Sequence, residues 1–133
     1  MPESTKTPLA EKLGYEAGTV AKVLNAPKDY QKLLAPLPEG VLFEEDRKKP
    51  VDLLHVFIMK VPELEQFSLW KKQMHRDGMI WISWPKKGGT VRSDISESMI
   101  RDAALENGLV DVKVCAVDDT WSGLKIVYRS SVR

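Results

Sequence analysis

The run Met79-Ile-Trp-Ile-Ser-Trp84, broken by Pro85-Lys-Lys-Gly-Gly89, constrains this chain more than any other stretch. An apolar run rich in Ile and Trp and closed by turn residues predicts a strand buried on both faces. Such a strand needs cover above and below, which an α/β sheet between helices supplies. In open sheets of this kind, ligands lie just beyond the carboxyl ends of the parallel strands. Pro85 to Gly89 therefore marks where a site is expected.

The flanking segments suit that architecture. Pro8 to Leu13 predicts a short helix with Gly14 beyond its end. Thr19 to Leu24 predicts a first strand, ended by Asn25-Ala-Pro27, and Asp29 to Leu34 a helical turn or two. Val41 to Phe43 and Asp52 to Met59 are the next strands. A longer helix is expected from Pro62, with Glu63 and Glu65 in its opening turn. It carries Leu64, Phe67, Trp70 and Met74 on one stripe, then Lys71, Lys72, His75 and Arg76 before Gly78. Asp94-Ile-Ser-Glu97 resembles a capping box, opening a helix with Met99, Ile100, Ala103 and Ala104 on its apolar face. Val110–Val117 and Leu124–Arg129, around a turn at Asp118–Gly123, predict an antiparallel hairpin. The expected fold is a three-layer, Rossmann-like α/β domain whose mostly parallel sheet ends in that hairpin. Residues 8–133 form the single domain, and residues 1–7 a disordered amino terminus.

Several function classes are excluded. Twenty basic and nineteen acidic residues leave a net charge of +1, and the basic pairs are scattered, which argues against nucleic acid. No segment approaches the ~20 apolar residues of a membrane span, and the first residues lack a signal core. With one cysteine, Cys115, a cytoplasmic protein is expected. Cys115 falls mid-strand and is expected to be inert. His55, inside an apolar strand, reads as a hydrogen-bonded core residue, and His75 as a surface residue at a helix end. Asp118 and Asp119 satisfy a turn, and no His or Cys spacing suits a metal. Ser83 lacks the Gly-x-Ser-x-Gly elbow that exposes a catalytic serine. After the first strand, where a dinucleotide fold has Gly-x-Gly-x-x-Gly, stands Asn25-Ala-Pro-Lys-Asp29; Lys-Lys-Gly-Gly is no P-loop either. No cofactor is expected.

What remains is the rim formed by Asn25-Ala26-Pro27, Lys60, Pro85-Lys86-Lys87 and the turn after Val117. Lys86 and Lys87 would supply charge to an anion, Trp84 and Trp121 would wall the pocket, and Asn25 and Ser122 would orient the ligand. Lys125 completes the expected set, while Trp81 is expected in the core. These residues favour a non-catalytic module that binds a partner protein or a small anionic ligand at the rim. A homodimer joined through an outer strand or exposed aromatics is a further expectation.

Leu13-Gly14, Leu24-Asn-Ala-Pro27, Pro36-Leu-Pro-Glu-Gly40, Ser83-Trp-Pro-Lys-Lys87, Gly108-Leu-Val-Asp-Val-Lys-Val-Cys-Ala-Val-Asp118 and Thr120-Trp-Ser-Gly-Leu-Lys125 resemble a family of small bacterial proteins of unknown function. That resemblance implies a cytosolic stand-alone domain and no known activity. At fold level the strand order is similar to a shortened S-adenosylmethionine-dependent methyltransferase. This likeness implies that Glu44 or Glu45 stands where such enzymes hold the cofactor's ribose. It makes a divergent transferase with a degenerate cofactor loop the alternative function.

Overall fold

A computed structural model describes residues 8–46, 48–89 and 91–129; the expectation for residues 1–7 lies outside them. Six strands form one sheet: β1 (Val20–Leu24), β2 (Leu42–Phe43), β3 (Val51–Phe57), β4 (Met74–Pro85), β5 (Leu109–Ala116) and β6 (Trp121–Tyr128). Their order is β2-β1-β3-β4-β6-β5. The first four are parallel, and β6 runs antiparallel between β4 and β5. The helices are α1 (Leu9–Leu13), α2 (Tyr30–Leu34), α3 (Phe67–Trp70) and α4 (Glu97–Glu106).

The apolar strands β3 and β4 show why three layers form. Leu53, Phe57 and Trp81 face one side, where Ala10, Leu13, Tyr30 and Leu34 of α1 and α2 cover them. Leu54, Val56, Ile80, Ile82 and Trp84 face the other, beneath Phe67, Trp70, Ile100 and Ala104 of α3 and α4. Each fully buried side chain of this size contributes ~1.5–3 kcal/mol, so neither layer is dispensable. Trp81 lies in the core as expected and donates its indole N–H to the Leu13 carbonyl at 2.7 Å.

Lys22, His55 and Ser83 are buried polar groups within the apolar layers, and each is hydrogen-bonded. Lys22 of β1 donates to the Lys49 carbonyl and to Gln73 Oε1 at 3.0 and 3.1 Å. His55 of β3, fully buried, bonds through Nδ1 to the Tyr30 hydroxyl at 2.8 Å and through Nε2 to Ser83 Oγ at 2.7 Å. The Tyr30 hydroxyl also meets that of Tyr15 at 2.8 Å. This chain of four side chains ties α2 and the segment after α1 to the middle of the sheet. Burial holds the His55 imidazole down at about 3, pushes Tyr15 up to about 12 and raises Tyr30.

Three sequence expectations need correction. The helix expected from Pro62 to Gly78 is a 3-10 segment, Val61–Gln66, then α3 and a 3-10 turn, Lys71–Gln73. Met74 already pairs with Val51 in the sheet, so His75 and Arg76 lie in β4. Gly78 then brings β4 back against β3 so closely that a Cβ would stand 2.8 Å from the Asp52 carbonyl oxygen. Strand pairing and burial of Met74 outweigh the helical charge pattern. The second correction is that Ser96, not Asp94, caps α4 by accepting from the Met99 N–H, while Met99 itself is exposed. Third, Trp121, Ser122 and Gly123 belong to β6 rather than to the turn.

Because His55 is neutral when folded and ordinary (about 6.5) when unfolded, the unfolded chain binds more protons below pH 6.5. Stability is therefore lost as pH falls from 6.5 toward 3, by up to ~1.4 kcal/mol per unit. Urea midpoints at pH 7 and pH 5 are expected to show about 2 kcal/mol of loss, a loss that His55→Gln removes. Equal slopes in both proteins would contradict the assignment.

Candidate functional site at the carboxyl-end rim

After β2 the chain crosses over β1 to form β3, so the topological switch point lies between β1 and β3. Asn25 stands there in the left-handed conformation at φ 61°, which Asn tolerates better than other side chains. Its Nδ2 reaches across to the Phe57 carbonyl at 3.5 Å, the outer limit of a hydrogen bond. The side chain thus bridges the ends of β1 and β3 where a cleft would open. Pro27 follows, without an N–H to offer a ligand.

On one side of this bridge lies a cavity of about 510 Å3 at the ends of β1 and β2, lined by Pro27, Tyr30, Phe43, Glu44 and Glu45 among others. Glu44 Oε2 accepts from the Asp46 N–H at 3.0 Å and so closes its own turn. On the other side the loops after β3 and β4 are fastened together. Glu63 Oε2 accepts from the N–H groups of Met59 and Lys60, both at 2.8 Å. Ser93 Oγ donates to the Met59 carbonyl at 2.6 Å, and Asp94 Oδ1 accepts from Val61 N–H at 3.2 Å. Lys86 N–H donates to the Thr120 carbonyl at 2.8 Å, which joins the hairpin turn to the same rim. Asp118 Oδ1 accepts from the N–H groups of Thr120 and Trp121, the turn role expected of it.

Two cavities flank these fastenings. One, about 470 Å3, is lined by Pro85 to Gly89 with Val91, Arg92 and Ser93. The other, about 540 Å3, is lined by Met59, Lys60, Pro62, Arg92, Ser93 and Asp94. Both are lined by Arg92 and Ser93, so Lys86 and Lys87 on one cavity and Lys60 on the other flank Arg92 in a basic trough made of two adjacent cavities. Gly88 turns that loop at φ 81°.

The expected site residues divide between the rim and the sheet. Lys86 and Lys87 line the trough and Asn25 bridges the switch point. Trp84 pairs with Ser122, and Pro85 with Trp121, so the two tryptophans point to opposite faces. Trp84 is only 6% exposed within the α4-side core. Trp121 packs edge-on against Phe57 on the α1–α2 side, with ring centroids 5.0 Å apart. They cannot wall one pocket. Lys125 pairs with Trp81 and Lys113, four residues down β6 and roughly 13 Å below the rim at ~3.3 Å per residue.

Arg92 and Ser93 escaped the sequence reading, although Arg92 stands in the same strand-to-helix loop as Lys86, and Glu63 reads in the sequence as a helix-opening acid and not as a residue of the rim. Ser83 and His55 have the geometry of a nucleophile and its base, but both are fully buried and out of reach of substrate. Burial raises the Cys115 thiol above its ordinary value. Among the described residues, no group of three His, Cys, Asp or Glu side chains is placed to hold a metal, and no helix is long and apolar enough to cross a membrane.

The fold is similar to that of methyltransferases. Magnesium protoporphyrin IX methyltransferase from Synechocystis PCC 6803, solved with bound SAH, superposes with TM-score 0.57 at 13% identity over 96% of this chain and 81% of that one. A SAM-dependent methyltransferase from Aquifex aeolicus gives 0.59 at 12% over 89% and 86%. A possible exported protein from Bordetella parapertussis gives 0.64 at 11% over 96% and 68%. At these identities the likeness establishes the Rossmann-like, methyltransferase-like fold alone. No curated protein sequence matches the chain. The protein of unknown function family DUF3052 matches residues 10–130, and the chain belongs to that family.

Proposed function

We propose that the protein is a non-catalytic, cytoplasmic binding module that holds a small, multiply charged anion in the trough bordered by Lys60, Arg92, Lys86 and Lys87. The observation that carries this reading is the fastening of the loops after β3 and β4 around four cations: Ser93 and Asp94 bind backbone across the two loops, and Glu63 pins Met59 and Lys60 within the first. The cations are thus presented on a fixed frame, which lowers the ordering cost of binding. Exposed ion pairs are worth only ~0.2–1 kcal/mol each, whereas micromolar affinity needs about 8 kcal/mol. The ligand must therefore engage several cations and backbone donors together, as a phosphate ester or polycarboxylate does. The bridge from Asn25 to Phe57 supports the absence of catalysis, because it occupies the place where a methyltransferase-like sheet opens.

The rival function, a divergent S-adenosylmethionine-dependent transferase, is favoured by the cavity beside β1 and β2 with Glu44 and Glu45 on its edge. The residues present do not fit the rest of that cofactor: Asn25 bridges the switch point and Pro27 withdraws a donor.

A thermal-shift series with inorganic phosphate, pyrophosphate and a sugar bisphosphate tests the trough. A ligand at ~100 times its dissociation constant adds about 2.7 kcal/mol, a rise of several degrees for a domain of this size. Lys86→Ala with Lys87→Ala is expected to abolish the rise. An undiminished rise in that variant would remove the trough from consideration.

A further inference from the structure

A groove that meets the rim at Pro62 separates the Val61–Gln66 segment and Ser68 from α4, with a volume of about 570 Å3. Its floor is apolar: Val61, Leu64 and Ala103 are half-buried against the core cluster, and Met99 is 41% exposed. Its walls carry Glu65, Asp102 and Glu106, and among the described residues no lysine or arginine lines it. None of the three carboxylates takes part in an ion pair among the described residues. A chain of net charge +1 thus concentrates negative charge around an uncovered part of its core.

The shape of the groove selects an occupant. The ten residues of α4 run ~15 Å, about three helical turns. An apolar trough between two helical segments suits the apolar face of another helix. The acidic walls repel an acidic helix and attract a basic one. We infer that this groove docks a basic amphipathic helix of a partner protein. Its apolar side chains rest on Leu64, Met99 and Ala103, and its lysines or arginines meet Glu65, Asp102 and Glu106. The groove adjoins the anion trough at Pro62, which borders both, but its charge is opposite.

The test is fluorescence anisotropy with a labelled leucine–lysine amphipathic peptide of about 20 residues, beyond the ~12–15 below which isolated helices are marginal. Wild-type protein is expected to bind it with micromolar affinity. The charge reversal Glu65→Lys, Asp102→Lys, Glu106→Lys and, separately, Met99→Glu are each expected to weaken binding at least tenfold. Lys86→Ala with Lys87→Ala binds as wild type, which separates this site from the trough. The groove positions substituted are exposed, so the variants retain the fold, checked by circular dichroism. No binding by wild type overturns the inference, as does unchanged binding in either groove variant. So does equal affinity for a scrambled peptide without an apolar face. A dimer in solution that Met99→Glu dissociates would put a second copy in the groove, and overturns it too.

Discussion

The parallel pairing of β3 with β4 governs the rest of the molecule. Both strands are apolar on both faces, and their register from Leu53 opposite Met79 to Phe57 opposite Ser83 stacks those faces into two cores. Each core needs its own helical cover, so α1 and α2 must lie on one side and α3 and α4 on the other. Parallel strands joined by crossovers also bring their carboxyl ends to one edge. The rim is thus a consequence of the same constraint that builds the core. His55 and Ser83 show how fully that interior is closed, since a pair with catalytic geometry is hydrogen-bonded within it and sealed from solvent.

At the rim, a side chain bridges the switch point between β1 and β3. Asn25 takes the left-handed conformation that a glycine-rich loop would supply and sends its amide across to β3. The open space is displaced to either side of that bridge. On the β2 side it holds Glu44 and Glu45; on the β4 side it holds basic residues on loops fastened by Glu63, Ser93 and Asp94. Lys28 and Lys32 stand with Glu44 and Glu45 on the β2 side, so the basic excess lies on the β4 side, where Lys60, Lys86, Lys87 and Arg92 outnumber Asp94.

Much of the fold was legible in the chain because it depends on period and punctuation. The double-faced strands, the terminal hairpin and the covering helices follow from runs such as Asp52–Met59 and from breakers such as Pro85 and Asn107-Gly108. The stretch from Pro62 to Gly78 was not legible: its charge order suits a helix, yet Met74 gains a ladder partner in Val51 and a place in the core. The candidate site was legible only in part. Lys86 and Lys87 follow a strand end and so had to reach the rim. Trp84 and Trp121 look like neighbours in such a loop, but their faces depend on strand register. Trp121 stands opposite Pro85 and not opposite Trp84, and that one-residue offset puts the rings on opposite sides of the sheet. Lys125 is displaced for a related reason, since β6 begins at Trp121, three residues earlier than the turn pattern implied.

In the function we propose, Asn25 and Pro27 close the switch point to an adenosyl cofactor. Isothermal titration of the protein with S-adenosylhomocysteine tests it most directly, alongside an Asn25→Gly variant. The account predicts no saturable heat from the wild-type protein at millimolar ligand. Saturable one-to-one binding by the wild type, undiminished or weakened by Asn25→Gly, would contradict it.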